Sequence, residues 1–436
     1  MHQFDSIEMK GRKALDHLGY ESSIMPDMEI SELSEAQFRM GAIAAAHPKL
    51  LKRLQAFTTA VRQRVVTLAH RWQADTQHIQ QALYRLIYGG RAAVEEAWIQ
   101  SGSAALPELI HLAQVASESP SVVIHGVRVH SGDILLSRAG APTSALISRG
   151  NDYHGNFSHV AMAYVDNSTH EGSVIEAHIE AGTVISSVDQ YFEDKKQRIL
   201  VLRMREGHPK LTGNPDLAHD AAASMYKRVA EKRIPYDFAM NFKNDRKLFC
   251  SEVPFHGYRG QGVDLWKIKT VMSSPGLRRW LADMGVRYFE TLAPSDVDYD
   301  PQLVAVAEWR DLEVLKADRI DNAIMDVLLE EAEKGLSLGY PKYKMPLAGV
   351  VKLWSRVQAL LGFDRAIPKG MGTTTALKVN ALMEKVFPLL RERLVKAEAA
   401  FRERRGYLPP YWSLLELADG IVHGSLAELK PYLIRE

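Results

Sequence analysis

Cysteine is almost absent from this chain. Cys250, inside "KLFCSEVPF" (247–255), is the sole one among 436 residues. One thiol cannot form an internal disulfide and cannot build a four-cysteine zinc site. Excess charge is absent too: 54 Lys and Arg stand against 53 Asp and Glu. No global field therefore draws the protein toward nucleic acid or a membrane, and any such affinity must come from a local patch. No apolar run approaches the roughly 18 residues of a spanning helix, so no transmembrane segment is expected. The N-terminus, "MHQFDSIEMKGRK", lacks the charged-then-apolar pattern of a secretion signal. The expectation is a cytoplasmic protein, or one exported by a route that reads no N-terminal signal. What is present, 46% hydrophobic and 25% charged residues, is the composition of a soluble chain long enough for two or three domains.

Three regions follow from the pattern. Residues 1–117 are helical in periodicity. In "KLLKRLQAFTTAVRQRVVTLAHRW", Leu50, Leu54, Phe57, Val61, Val65, Leu68 and Trp72 fall at steps of three and four and share one helix face. The same stretch carries Lys49, Lys52, Arg53, Arg62, Arg64 and Arg71 with no acidic residue between 49 and 74. Two readings follow for residues 49–72: a bundle helix with a solvated basic face, or a surface for anionic lipid or an acidic partner. Residues 118–313 change texture. "GDILLSR" (132–138), "SHVAMAYVD" (158–166), "SVIEAHIEAG" (173–182) and "QRILVLRMR" (197–205) read as strands of one sheet, with a hairpin at "DNSTHEG". Residues 314–436 return to helix, with Leu382, Val386, Leu390 and Leu394 on one stripe and a kink expected at Pro388.

A catalytic thiol works as the thiolate and needs a lowered pKa, usually from a helix N-terminus and a neighbouring imidazole. Cys250 precedes Ser251, Glu252, Val253 and Phe255, which suits a first helical turn, where Pro254 is tolerated. His159 opens one strand. On the next, Glu176 and His178 share one side while Ile175, Ala177 and Ile179 face the other. Such a strand face could align a base and its orienting partner against a helix-borne thiol. Competing chemistries find less support. His154 and His159 are five apart on a loop entering a strand, which is no metal-ligand spacing. "PKGMGTTTALK" lacks the ending of a phosphate loop, and "GYRGQG" follows no dinucleotide-type strand. No metal or cofactor is expected.

The motifs "GDILLSR", "SHVAMAY", "VIEAHIEAG", "PYDF", "FCSE" and "APSDVDYDPQLVAV", in this order, resemble the permuted papain-like cysteine hydrolases of the YiiX/YaeF type. Those are relatives of the NlpC-type peptidases and of the lecithin:retinol acyltransferase group. The resemblance covers roughly residues 118–313. It implies an α+β architecture: a central permuted papain-like domain, an antiparallel sheet packed on a cysteine-bearing helix, between N- and C-terminal helical regions. It also implies Cys250 as nucleophile, His159 as general base and Glu176 as the residue orienting the imidazole, with His178 as a second candidate. Tyr236 would stand beside the oxyanion. Two segments depart from the pattern, "DFAMNFKNDRKLF" and the helix-like "GLRRWLADMGVRYF", and both are expected to border the cleft and bear on substrate.

The expected function is a cysteine-dependent acyl hydrolase or acyltransferase acting on lipid acyl esters. An amidase or peptidase on peptide or peptidoglycan bonds is the alternative, and a catalytically dead papain-like binding module the third.

Overall fold

The computed structural model describes residues 2–18, 24–69, 71–72, 76–102, 106–193, 196–340 and 372–435. The start of "PKGMGTTTALK" lies outside them; its threonines open a helix, Thr373–Ala381.

The strand-like runs of the centre join a seven-stranded sheet. Its strands are β1 (Leu109–His111), β2 (Ile134–Ala139), β3 (His159–Val165), β4 (Gly172–His178), β5 (Gly182–Ser187), β6 (Lys196–Met204) and β7 (Leu303–Arg310). The order is β1-β7-β6-β2-β3-β4-β5, and every neighbouring pair is antiparallel. The expected hairpin joins β3 to β4. There the Asp166 carboxylate accepts the backbone N–H groups of Ser168 (2.8 Å) and Thr169 (2.9 Å), so a short acidic side chain closes the turn. The run at 173–182 is not one strand: it ends at His178, and β5 restarts at Gly182, whose φ of +76° turns the chain.

Period-two alternation sorts β4 between the two faces of the sheet. Ile175 and Ala177 enter the core that holds Val253, Phe255 and Tyr258 of the cysteine helix, Glu252–Gly260. Val174 joins Leu135, Ala161, Ala163 and Val201 in a second core behind the sheet, closed by the ribbon Ser121–Ile124/Val127–His130 and by Tyr191. This is an antiparallel sheet packed on a cysteine-bearing helix.

The flanking helices have cores of their own and reach into the centre. Leu50, Leu54, Phe57, Val61, Val65, Leu68 and Trp72 are buried among N-terminal helices, so the apolar stripe of this segment is spent inside the arm. Of its basic residues, Arg53 pairs with Asp5 and Glu8, and Arg62 is buried against the carboxylate of Asp298. Arg91 reaches the other Asp298 oxygen at 2.9 Å, and Arg198 of β6 makes a bidentate pair with Glu95 at 2.8 and 2.9 Å. Buried charges demand such partners, and these fasten the N-terminal helices to the sheet. In the C-terminal region Leu382, Val386, Leu390 and Leu394 are buried together with Leu146, Met272, Trp280 and Leu281 of the centre. At Pro388, where a kink is expected, the hydrogen bonding of the helix changes. The helix Phe387–Arg405 is preceded by a π-turn, Leu382–Val386, in which Phe387 N–H bonds to Leu382 C=O. Proline offers no N–H to the carbonyl four residues back and crowds it, and a π-turn upstream absorbs that clash.

Candidate active site

Cys250 lies two residues before the cysteine helix, in the turn where Val253 N–H bonds to its carbonyl at 3.2 Å. It is 5% exposed. The turn is fixed by Glu252, whose carboxyl accepts the Phe249 N–H at 2.8 Å, a reach-back of the capping-box kind. Leu248 in turn bridges Tyr236 in parallel, so the "PYDF" and "FCSE" segments run side by side.

His159 is the first residue of β3. Its Nε2 stands 2.9 Å from Glu176 Oε2, across the β3–β4 ladder, and its ring lies beside Cys250, close enough for each to shift the other's pKa. With Nε2 engaged by the carboxylate, Nδ1 is the nitrogen left for sulfur. Burial opposes a charged imidazole here, but the bonds to Cys250 and Glu176 outweigh it and raise the His159 pKa to about 9. Burial likewise opposes a thiolate, yet the His159 hydrogen bond and charge, with the Val160 N–H, bring the Cys250 pKa below its ordinary value. Each partner thus favours the charged form of the other.

Glu176 is 2% exposed, and burial alone would favour its neutral form; hydrogen bonds from His159 and His178 hold it well below the usual carboxylate range. His178 Nε2 meets Glu176 Oε1 at 3.1 Å, while the His159 and His178 rings are 5.7 Å apart between centroids. Of the two candidates for contact with His159, Glu176 makes it and His178 braces Glu176 from the far side. Ser186 Oγ donates to Glu176 Oε1 at 2.7 Å. That residue is absent from the sequence reading, because β5 was not separated from β4; its position on an alternating strand beside a buried acid is the signal that could have found it.

Tyr236 is buried and lines the same cavity as Cys250. Burial, then the neighbouring Cys250, push its pKa well above the ordinary value, so the phenol stays an O–H donor. Behind the thiol sits a second buried pair, also missed from sequence. Burial raises Glu252 to about 9, and burial and Arg228 lower His256 to about 4, with Oε1 and Nε2 at 3.3 Å. At neutral pH this is a carboxylic acid facing an uncharged imidazole, and it adds no second anion beside the thiolate.

The cavity at Cys250 has a volume of about 500 Å³. Both departing segments border it: Phe238, Met240 and Phe249 from the first, Leu281, Met284 and Val286 from the second. The C-terminal helices add Ala376, Val379 and Met383.

Among the described residues, one set of metal-type side chains gathers elsewhere: Glu331, Asp419 and His423 in the C-terminal region. Glu331 there is already paired with Arg435 and with Lys334 at 3.1 Å. Nor, among the described residues, is any helix long and apolar enough to cross a membrane.

A buried thiol beside an imidazole, braced by a carboxylate on an antiparallel sheet, is the arrangement that a permuted papain-like hydrolase would use. Residues 128–307 match the family described as permuted papain-like amidase enzyme, YaeF/YiiX, C92 family, a span that contains Cys250, His159, Glu176, His178 and Tyr236. Among solved structures, the chain is similar to one titled crystal structure of metalloprotein yiiX from Escherichia coli O157:H7, with 22% identity and a TM-score of 0.34 over 42% of this chain and 98% of that one. No curated protein matches.

Proposed function

We propose that the protein is a cysteine-dependent acyl hydrolase whose substrate is a lipid acyl ester. The observation that carries this reading is the cavity beside Cys250: most of its wall is apolar, with Met240, Met272, Met284, Leu281 and Phe238, interrupted by the neutral Thr143, Asn151, Thr270, Thr291 and Asn380, and among the described residues its charged liners are Glu180 and Glu384. A peptide or glycan stem, studded with hydrogen-bonding groups, would find partners for only some of them against such walls, whereas an acyl chain matches the apolar majority.

The Cys250 thiolate attacks the ester carbonyl carbon while His159 holds the proton. The tetrahedral oxyanion receives hydrogen bonds from the Cys250 N–H and the Tyr236 O–H. Collapse breaks the bond to the leaving oxygen, which takes its proton from His159 and departs as the alcohol. Water, deprotonated by the now neutral His159, then attacks the thioester carbonyl and releases the carboxylic acid and the thiolate. An alcohol or amine acceptor in place of water makes the same site an acyltransferase. Glu176 keeps the imidazole turned toward sulfur and stabilises its charged form.

A second reading is favoured by the match to a family described as an amidase: the same steps with an amine leaving group. The experiment that separates them mixes purified protein with phospholipid vesicles and measures free fatty acid by mass spectrometry. Fatty acid released by the wild type and absent with Cys250→Ala supports the ester reading. Cys250→Ser should retain little of the activity, because a serine hydroxyl stays protonated at this site. No fatty acid, together with Cys250-dependent cleavage of peptide or cell-wall amides, would replace the ester reading by the amide one. Activity in neither assay, with Cys250 alkylating like an ordinary thiol, would leave a binding module.

A further inference from the structure

The C-terminal helices supply a wall of the cavity, and the way they do so is unusual. Ala376 and Val379 come from the helix Thr373–Ala381, while Met383 and Glu384 come from the π-turn that follows it. A π-turn is rare in a helix, costs hydrogen-bond geometry and is found mostly at functional sites. This one lies immediately before Pro388 and packs its other side, Leu382 and Val386, into the core holding Leu146, Met272 and Leu281. The helix is tied to the centre by Lys378 Nζ to Asp283 Oδ1 at 2.6 Å. The extra residue of the π-turn thus rotates Met383 and Glu384 toward the cavity while the flanking side chains stay in the core.

A second irregularity faces the same space. Met240 adopts a φ of +62°, a left-handed conformation that a long side chain seldom takes. It is held there by the Asp237 carboxylate, which accepts the N–H groups of Ala239 (3.1 Å) and Asn241 (2.7 Å). Strain of this kind concentrates at ligand clamps. With Met272 and Met284, four methionines from four separate segments meet around one cavity. Unbranched, polarisable thioethers adapt their rotamers to a variable apolar guest.

We propose that this methionine-walled cavity is an acyl-chain pocket for one chain of roughly ten to sixteen carbons, and that Met383, set by the π-turn before Pro388, is the residue that limits chain length. The size follows from 500 Å³ at about 30 Å³ for each water-sized, hence methylene-sized, unit. The proposal rests on the acyl-ester reading for its chemistry but makes a claim about binding that can be tested without turnover.

Two measurements separate them. In the first, Cys250→Ala protein is titrated with dansyl-undecanoate, a fluorescent fatty acid, and the probe is competed with hexanoate, octanoate and laurate. Saturable binding is expected, tightening by up to about fourfold for each added methylene. Adding Met383→Trp should erase at least tenfold of laurate's advantage over hexanoate. Ala376→Phe, about two turns earlier on the same wall, should act in the same direction if the tryptophan variant folds poorly by thermal melting. In the second, wild-type, Met383→Trp and Pro388→Ala proteins are compared on p-nitrophenyl esters of four to sixteen carbons. The kcat/KM ratio of the twelve- to the four-carbon ester should fall at least tenfold in Met383→Trp and change in Pro388→Ala. Probe binding without ester turnover would sink the hydrolase reading and leave the pocket. No saturable probe binding, or binding and chain-length profiles that neither wall variant changes, would overturn the pocket.

Discussion

Glu176 Oε2 lies 2.9 Å from His159 Nε2 across two neighbouring strands, and the second oxygen of the same carboxylate is taken by His178 and Ser186. The carboxylate is therefore fixed before it meets the imidazole, and both its position and its charge are available to His159. Orientation and electrostatics can be separated by substitution.

Glu176→Gln preserves the shape and removes the charge. The His159 pKa, raised to about 9 in the native site, should drop toward its ordinary 6.5, and with it the support for the thiolate. Turnover should fall by roughly 10²–10⁴, the usual span for a positioned acid–base system. Iodoacetamide labelling of the single thiol gives an independent readout. In the wild type the midpoint of the labelling rate should lie below pH 8.5, the ordinary thiol value. In His159→Asn, burial is opposed only by the weaker Val160 and Ser251 hydrogen bonds, and the midpoint should move above it. A wild-type midpoint at or above 8.5 would show that the pair is not poised as an ion pair.

How far these contacts could be read from residues differs by type. Alternation in "VIEAHIE" was enough to place Glu176 and His178 opposite Ile175 and Ala177, because successive side chains of a strand must point to opposite faces of the sheet. Cys250 at a helix start was legible from Ser251, Glu252 and Pro254 for a similarly local reason. What depended on distant partners was not. Arg62 reads as one more cation on a basic face, yet it is buried against Asp298, 236 residues away. β7 pairs with β6 at the heart of the sheet, but "LVAVAEWR" alternates weakly because both of its sides are covered. The cavity has no signature in any one stretch, since its walls come from segments between Thr143 and Glu384. The two departing insertions were the only hint of it.

Glu252 gives a prediction with an unusual sign. Burial raises its pKa from 4.5 to about 9, so between these values the folded protein holds a proton that the unfolded chain has released. Stability contributed at this site therefore falls as pH rises from 4.5 toward 9. Glu252→Gln carries a neutral side chain of the same shape, can still accept the Phe249 N–H, and should abolish that slope. The variant should melt higher relative to wild type at pH 8 than at pH 5. Glu252→Ala, which strips the Phe249 N–H of its acceptor, should instead destabilise by about 1–3 kcal/mol. Equal pH slopes in wild type and Glu252→Gln would mean that the acid is ionised in the fold.

The last relationship concerns the N-terminal helices. Asp298 stands in the 3-10 segment Pro294–Tyr299 and is buried against Arg62 and Arg91, whose charges and hydrogen bonds overcome burial and hold its pKa at about 2. The same segment governs the approach to His159. Ser295 Oγ accepts the Phe157 N–H at 3.0 Å and donates to the Phe157 carbonyl at 3.1 Å, while Arg91 reaches Asn156 Oδ1 at 3.3 Å and lies over the Phe157 ring. Two guanidiniums thus clamp a carboxylate three residues from Ser295, which holds the backbone of Phe157 just ahead of His159. Asp298→Ala leaves both cations buried without their shared partner, and breaking a buried pair in this way costs about 3–5 kcal/mol. Thermal melting should show that loss. Because the Asn156–Phe157 approach loses its anchor as well, the labelling midpoint of Cys250 should shift upward in the same variant. A large drop in melting temperature with an unchanged labelling profile would mean that the clamp holds the arm in place without positioning His159.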